Sequence, residues 1–226
     1  MQNTTDFWKS KKDYNKPMAT LVLVRHGLSE YNKKGLWAGW DNPPLSPEGF
    51  EEARKTGGQL KDFTFNYAYT SALLRAQQTM DEILKILNQN PPITKNQSLN
   101  ERNYGDFTAK NKWEVKEKIG EEEFLKLRRG WDYPIPNGES LKQVYERTIP
   151  YFQQEIEPHI KLGNNIIITS SGNALRSIVK YLENIPDDEI ATLEIGTGEA
   201  YIYQIDENGK VNSKEIRGVN ENKGKV

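Results

Sequence analysis

The fold class of this chain is decided by one stretch, Ala19-Thr20-Leu21-Val22-Leu23-Val24-Arg25-His26-Gly27. A continuous run of apolar and β-branched residues is typical of a strand buried on both faces of a sheet. The run ends abruptly at Arg25, where polar residues replace apolar ones. The stretch therefore predicts a buried strand followed at once by a histidine and a glycine.

Strand and helix patterns alternate along the rest of the chain. Ser46-Pro47-Glu48 has the form of an N-cap followed by proline at the first helical position, and a helical apolar spacing runs from Ala76 to Leu87. We also expect a long helix over 139–160, bent at Pro150, and further strands at 67–70, 165–169 and 200–205. This alternation predicts an α/β fold of three layers, with a mostly parallel sheet flanked by helices.

Length and composition indicate one soluble domain. The chain has 226 residues, 35% hydrophobic and 28% charged, with a formal net charge of −1, two histidines and no cysteine. It has no apolar run of membrane-spanning length and no secretory signal in Met1–Met18, so we expect a cytoplasmic protein that binds neither membrane nor nucleic acid. We expect a disordered N-terminal extension at 1–18, a single domain at 19–217 and a flexible C-terminal tail at 218–226.

Two polar turns follow predicted strands. Arg25-His26-Gly27 follows the first, and Ser171-Gly172-Asn173 follows the strand at 165–169. Ligands of such sheets gather at the carboxyl ends of strands, which places both turns in one pocket. A neutral imidazole is a good nucleophile toward phosphorus, and a neighbouring guanidinium holds phosphoryl oxygens bidentately. Taken alone, the tripeptide fits a solvent-exposed histidine in a strand-to-helix turn equally well.

A family resemblance rests on several motifs that stand in the same order along residues 19–206. Val24-Arg25-His26-Gly27-Leu28-Ser29-Glu30-Tyr31-Asn32 resembles the signature of the histidine phosphatase superfamily. The remaining motifs resemble those of the cofactor-dependent phosphoglycerate mutases within it. They are Ala38-Gly39-Trp40, Leu45-Ser46 with Gly49, Tyr69-Thr70-Ser71 with Arg75-Ala76, Leu99 to Gly105, Asn111-Lys112, Arg128-Arg129 and Gly172-Asn173-Ala174-Leu175-Arg176.

The resemblance implies a role for each matching residue. His26 would accept a phosphoryl group, Arg25 and Arg75 would hold it, and Glu101 would be the general acid/base. Phosphate and substrate would also be bound by Asn32, Ala38, Gly39, Tyr104, Lys112, Arg128, Arg129, Gly172 and Asn173. Taken without the family, Lys112 is an ordinary surface lysine, Arg128-Arg129 a solvated helix end, and Glu101 a partner of Arg102. The implied reaction is the interconversion of 2- and 3-phosphoglycerate, primed by 2,3-bisphosphoglycerate, without a metal ion and in a possible homo-oligomer.

Ser171 departs from the family pattern, which has a second active-site histidine at this position. Serine offers one short neutral donor in place of a group that donates to phosphoryl oxygens as charge develops. Loss of such a donor typically costs about two to three powers of ten in rate, so we expect impaired turnover. Ala38, Ala109 and Leu28 are smaller departures.

Two other functions stay open at this level. A phosphatase of the same superfamily would let water attack phospho-His26, and a pseudoenzyme would bind phosphoglycerates without turnover. The mutase-like segment 99–105 argues against the phosphatase, whereas Ser171 favours the pseudoenzyme. Trp37 and Trp40 are expected to pack beneath the site.

Overall fold

A computed structural model describes residues 18–218 and 220, and its centre is a six-stranded sheet of order β3-β2-β4-β1-β5-β6. The pairings β1–β4, β2–β4 and β2–β3 are parallel, whereas β1–β5 and β5–β6 are antiparallel. The mostly parallel sheet predicted from the sequence is confirmed. The strands are β1 (Ala19–Arg25), β2 (Tyr67–Ser71), β3 (Ile93–Asn96), β4 (Ile166–Ser170), β5 (Ala200–Ile205) and β6 (Val211–Arg217).

Helices cover both faces of the sheet. Odd-numbered positions of β1 such as Leu23 pack with the later helices, and even-numbered positions such as Val24 pack with α2 and α3. This arrangement gives the three predicted layers. The α-helices are α1 (Glu30–Lys33), α2 (Pro47–Gln59), α3 (Leu74–Leu87), α4 (Lys112–Ile119), α5 (Glu121–Arg129), α6 (Leu141–Tyr151), α7 (Glu157–Lys161) and α8 (Gly172–Glu183). None of the helices within 18–218 is both long and apolar enough to cross a bilayer.

A separate apolar cluster lies under α4 and α5. Trp37 is at its centre, with ring centroids 5.7 Å from Tyr104 and 5.9 Å from Phe124. This cluster fixes the α4–α5 pair beside the main sheet, and it includes Trp37 as the sequence suggested. The corresponding expectation for Trp40 was wrong: its side chain is 42% exposed, and its indole N–H donates to the Glu101 carbonyl at 2.7 Å.

Sequence reading missed the short helix α1, the helices of the polar section between β3 and α6, and the two edge strands. Three of the four residues in β3 and most of β6 are exposed, so neither strand carries a buried apolar run. The helix predicted over 139–160 begins at Leu141, with Ser140 as its cap. After Pro150, which cannot donate an internal hydrogen bond, the chain forms a π-helical turn at Phe152–Ile156 before α7.

The predicted terminal segments lie largely outside the described residues. The extension predicted at 1–18 is described only at Met18, and the tail predicted at 218–226 only at Gly218 and Asn220. The Asn220 side chain donates to Glu52 Oε1 at 3.2 Å and to the Thr197 carbonyl at 2.9 Å. The chain is therefore anchored at Asn220, against α2 and the loop that precedes β5.

Two glycines allow the backbone after β1 to pass against the start of α2. A Cβ on Gly27 would lie 2.2 Å from the Gly49 carbonyl oxygen, and a Cβ on Gly49 would lie 2.1 Å from the Leu28 carbonyl oxygen. Both clashes are with backbone atoms, which cannot rotate away. The close approach holds the residues after β1 against α2 and so positions the His26 turn.

Replacing Gly49 by alanine is expected to lower the free energy of unfolding by about 1–3 kcal/mol, because the added methyl group forces the two segments apart. Gly58 is the matched control: it lies in the same helix, and a Cβ there meets nothing within 4 Å. Gly58→Ala should therefore raise the stability by about 0.5–1 kcal/mol. Urea denaturation measures both changes, and equal stabilities of the two variants would contradict this packing.

Candidate active site

The site lies at the carboxyl edge of the three central strands. Because β1, β2 and β4 run parallel, the residues that follow them meet at one edge of the sheet. Arg25 is paired with Ser170, and the His26 amide donates to the Ser170 carbonyl at 2.9 Å. The helix that follows β2 brings Arg75 to the same edge. The topology thus joins residues that are far apart in sequence.

His26 is held as a neutral imidazole with a defined tautomer. Its ring is 3% exposed, Nδ1 lies 2.7 Å from the Gly27 carbonyl oxygen, and Arg75 Nε lies 3.1 Å from Nε2. A carbonyl oxygen only accepts and an arginine Nε only donates, so the network assigns the proton to Nδ1 and the lone pair to Nε2. Burial, then the charges of Arg75 and Arg25, hold the pKa of His26 well below its ordinary value. Nε2 is therefore available as a nucleophile.

The guanidinium of Arg75 is fixed by backbone carbonyls. It donates to Gly39 at 2.9 Å and to Asp41 at 3.0 Å, while burial lowers its pKa to about 10. Arg75 thus stays charged at neutral pH beside the His26 ring. Arg25 donates to the Ile195 carbonyl at 2.6 Å, and its buried Nε has no hydrogen-bond partner among residues 18–218 and 220. That orphaned donor suits an oxygen of a bound anion.

These groups line one open pocket. Its wall holds six cationic side chains and two carboxylates, so it is strongly biased toward anions although the chain as a whole is nearly neutral. The cations are Arg25, Arg75, Lys112, Arg128, Arg129 and Arg176, and the carboxylates are Glu101 and Glu194. No group of acidic residues and histidines with the makings of a metal site occurs in the described part of the chain.

Glu101 is positioned with one carboxylate oxygen bound and the other available. Its Oε1 accepts from the Arg102 amide at 2.7 Å and from the Asn173 side chain at 2.8 Å. Its Oε2 accepts no hydrogen bond from the described residues and lies 3.9 Å from a Cβ built on Gly172. Arg147 donates to the Glu101 carbonyl at 2.9 Å and anchors the backbone. A carboxylate so held can exchange a proton through Oε2 without losing its position.

The other residues named from the sequence, apart from Ser171, also reach this pocket. Asn32 is held through Oδ1 by the Ser29 hydroxyl at 2.8 Å, which leaves its Nδ2 as a donor, and Tyr104 accepts from Asn173 Nδ2 at 3.1 Å. The Arg129 guanidinium forms an ion pair with Glu194. The residues brought together at the wall are Asn32, Ala38, Gly39, Tyr104, Lys112, Arg128, Arg129, Gly172 and Asn173.

Ser171 lies behind the wall of the pocket. It is 0% exposed, and its hydroxyl oxygen is buried with no hydrogen-bond partner among the described residues. It is the N-cap residue of α8, yet its side chain makes no capping bond. The structure thus places Ser171 at the junction of β4 and α8, next to Gly172, where its hydroxyl makes no hydrogen bond with a described residue.

Sequence reasoning missed two charged residues of the pocket wall. Arg176 donates to Asn173 Oδ1 at 2.9 Å and to the Arg129 carbonyl at 3.1 Å, so it joins α8 to the end of α5. Its position one helical turn after Asn173 was a usable signal. Glu194 lies in an irregular segment with no motif, and only the tertiary structure shows that it pairs with Arg129.

Ala109 shows a cost of departing from the family pattern. Its φ is +62°, a left-handed conformation that glycine adopts without strain and alanine does not. The Ala109 amide donates to the Trp37 carbonyl at 2.8 Å, which holds the strained residue in place.

The low pKa of His26 makes stability depend on pH. Below about pH 6.5 the unfolded chain binds a proton on this imidazole that the folded chain does not, so the free energy of unfolding should fall as the pH drops. The slope is at most about 1.4 kcal/mol per pH unit for one proton. Urea denaturation at several pH values should show a shallower slope for His26→Asn than for the unaltered protein. Parallel curves would contradict a buried neutral imidazole.

Comparison with known proteins decides the family. Residues 21–216 match the sequence model of the histidine phosphatase superfamily (branch 1). A 2,3-bisphosphoglycerate-dependent phosphoglycerate mutase of Parvibaculum lavamentivorans is 46% identical over 199 residues, which are 87% of this chain and 95% of that protein. The chain belongs to this phosphoglycerate mutase family. A phosphoglycerate mutase of Schizosaccharomyces pombe is 43% identical over 87% of this chain and 94% of its own length.

Solved structures show the same fold as this member of the phosphoglycerate mutase family. Bacillus stearothermophilus YhfR matches with a TM-score of 0.77 and 23% identity, covering 90% of this chain and 98% of that one. A putative α-ribazole-5′-P phosphatase of Escherichia coli matches with a TM-score of 0.71 and 23% identity, covering 90% and 96%. At this identity the likeness supports the three-layer fold, and the fold alone.

Proposed function

We propose that this protein interconverts 2-phosphoglycerate and 3-phosphoglycerate through a phosphohistidine at His26. The observation that carries the proposal is the position of His26 Nε2. It accepts a hydrogen bond from Arg75 Nε at 3.1 Å, at the wall of a pocket lined by six basic side chains. Phosphoryl transfer needs mainly a positioned nucleophile and charge stabilisation, and both are present. The family membership supports the same reaction.

The pocket fits 2,3-bisphosphoglycerate as the priming cofactor. That molecule has three anionic groups on three carbons, and the pocket carries cations on two sides. Arg25 and Arg75 lie at the sheet edge, while Lys112, Arg128 and Arg129 come from α4 and α5. The buried Nε atoms of Arg25 and Arg129 have no partners among the described residues, which is the state expected of donors that await anions. When bound, the cofactor supplies the phosphoryl group that His26 receives.

The chain's own residues then have separate tasks. The Gly27 carbonyl keeps the proton on Nδ1, so that Nε2 attacks phosphorus and the ring stays oriented. Arg75 lies within hydrogen-bond distance of Nε2, and its charge stabilises phosphoryl oxygens at that position. Glu101 takes the proton from the attacking hydroxyl through Oε2 and returns one to the departing oxygen. The α4–α5 side of the pocket holds the remaining carboxylate and phosphate.

Ser171 favours a second candidate function, that of a pseudoenzyme that binds phosphoglycerates without turning them over. The buried Ser171 hydroxyl has no partner in the part of the chain that the structure describes and does not line the pocket, so it replaces none of the donor capacity of an imidazole. Binding, in contrast, depends on the basic side chains of the pocket, and all six of them line its wall. Impaired turnover with intact binding is part of the proposal.

The test uses three measurements on the full chain. 3-Phosphoglycerate with 2,3-bisphosphoglycerate reports mutase activity, p-nitrophenyl phosphate reports general phosphatase activity, and calorimetry reports binding of the bisphosphate. Formation of 2-phosphoglycerate supports the mutase, even at a low rate. Hydrolysis of the ester without isomerisation supports the phosphatase, and binding with neither reaction supports the pseudoenzyme. No binding at all would contradict every version of the proposal. The cytoplasmic location and the homo-oligomer stay predictions.

A further inference from the structure

Lys112 is the one pocket cation whose charge is easily lost. It is the first residue of α4, its side chain is 5% exposed, and it lines the pocket. Within residues 18–218 and 220 its amine has neither a hydrogen-bond partner nor a carboxylate in ion-pair distance, unlike Lys33, which pairs with Glu48 at 2.7 Å. The positive end of the α4 dipole adds to the cost of a charge on the same residue.

Most of the groups that face Lys112 lower its pKa. The pKa of Lys112 is lowered to about 7. Burial is the largest cause, and the charges of Arg128 at the end of α5 and Arg25 at the end of β1 act in the same direction. Glu101, on the loop between them, is the carboxylate that opposes this shift. The other pocket carboxylate, Glu194, pairs with Arg129, and His26 is neutral. Near neutral pH a large fraction of molecules therefore carries Lys112 as a free amine.

We propose that Lys112 is a covalent modification site for small phosphorylated aldehydes, which form an imine with its Nζ while the phosphate lies against the pocket arginines. The Nζ lone pair attacks the aldehyde carbon and a C–N bond forms. The carbonyl oxygen then leaves as water with the two amine hydrogens, so no oxidant or reductant is needed. The Glu101 carboxylate lines the same pocket and can relay the protons.

The phosphate gives this site its selectivity. A phosphoryl group pairs with arginine through two parallel hydrogen bonds, and the wall that contains Lys112 also contains Arg25, Arg128 and Arg129. An aldehyde a few carbons away from that phosphate is held next to the amine, which raises its effective concentration. An uncharged aldehyde of the same length lacks this attachment. Occupation would block phosphoglycerate binding reversibly, because imines hydrolyse.

The expected rate advantage follows from two opposing effects. At pH 7 an ordinary lysine has roughly one molecule in 2,500 as free amine, so Lys112 has roughly 1,000-fold more. A less basic nucleophile is also intrinsically slower, and a Brønsted slope of ~0.4–0.5, as found for thiols, removes roughly 40-fold of this gain. The remaining advantage at pH 7 is a few tens-fold for the pocket without a bound anion. A bound phosphate raises the Lys112 pKa and reduces this advantage, whereas its positioning of the aldehyde increases the rate.

The experiment compares glyceraldehyde 3-phosphate with glyceraldehyde on the full-length protein. Imines are fixed with borohydride, and peptide mapping by mass spectrometry gives the labelling rate of each lysine. Lys110 is the matched reference, since it lies two residues away and is exposed. We expect Lys112 to be labelled at least tens-fold faster than Lys110 at pH 7 and more slowly in the presence of 3-phosphoglycerate. The Lys112 rate should level off above pH 8, while the Lys110 rate keeps rising.

Several results would overturn the proposal. Labelling that follows exposure, with Lys112 no faster than Lys110, would show that the amine is protonated or out of reach. Equal labelling rates of Lys112 with the phosphorylated and the plain aldehyde would show that the phosphate is not recognised. Lys112→Arg has no primary amine at this position and should show no adduct there. If that variant does not fold, the peptide map of the unaltered protein decides alone. The labelling needs no turnover, so its failure and a failure of the mutase assay are separate results.

Discussion

Ser171→His is expected to raise the rate of phosphoglycerate interconversion by about 100- to 1,000-fold, which is what one transition-state donor typically contributes. The position lies at the junction of β4 and α8, and a Cβ on the next residue, Gly172, would lie 3.7 Å from Arg25 Nε. Gly172 itself lines the pocket, so a side chain at 171 starts one residue from the wall, and we expect the longer imidazole to reach the phosphoryl site. The buried serine hydroxyl has no partner among the described residues, so its removal sacrifices no hydrogen bond.

The matched control for this gain is Ser171→Gln, which adds a neutral donor of similar reach. If positive charge matters, glutamine should recover much less of the rate than histidine. Steady-state kinetics with 3-phosphoglycerate and 2,3-bisphosphoglycerate would compare the three proteins, and thermal melting would check that each is folded. Equal rates for the serine and histidine proteins would show that Ser171 does not limit turnover, and the impairment argued above would be wrong.

His26→Ala is expected to abolish phosphoenzyme formation completely. After exposure to 2,3-bisphosphoglycerate the unaltered protein should gain the mass of one phosphoryl group, labile to acid, because the neutral Nε2 is the nucleophile. The alanine variant has no nitrogen at this position and should gain none. Intact-mass spectrometry reads both directly, without depending on how fast the phosphoryl group is passed on.

His159→Ala is the control because it removes the other histidine of the chain. His159 lies on α7, stacked at 4.3 Å between ring centroids on Tyr67, at the amino end of β2 and therefore across the sheet from the pocket. This variant should keep the full phosphoryl gain. A phosphoryl group that survives in His26→Ala would assign the nucleophile elsewhere and contradict the mechanism.

The sequence alone was sufficient for the core of the fold. The run from Ala19 to Val24, the Ser46-Pro47 cap and the apolar spacing of α3 are local patterns, because each depends on burial that repeats along one strand or one helix. The exposed edge strands β3 and β6 lack such a pattern and could not be found this way. Trp40 was misplaced for a related reason, since composition does not tell which of two nearby tryptophans is buried.

In the candidate site, too, local motifs could be read from the sequence, whereas contacts between distant segments could not. The motifs around His26, Glu101 and Asn173 named most of its members from the order of residues, and the roles of these residues stay predictions. The sequence could not show that Arg75 donates a hydrogen bond to His26 Nε2 or that Glu194 forms an ion pair with Arg129. These contacts join segments dozens of residues apart.

By itself, then, the sequence determined the family, the central strands and the presence of a histidine with cations around it. The tertiary structure alone decided which nitrogen of His26 carries the lone pair. It also decided that, among the described residues, the Ser171 hydroxyl is buried without a partner and the Lys112 amine is buried without an ion pair. The physical reason is that the apolar periodicity of a strand or helix is a property of consecutive residues. The desolvation of an atom and the electric field at it depend on neighbours from several different elements.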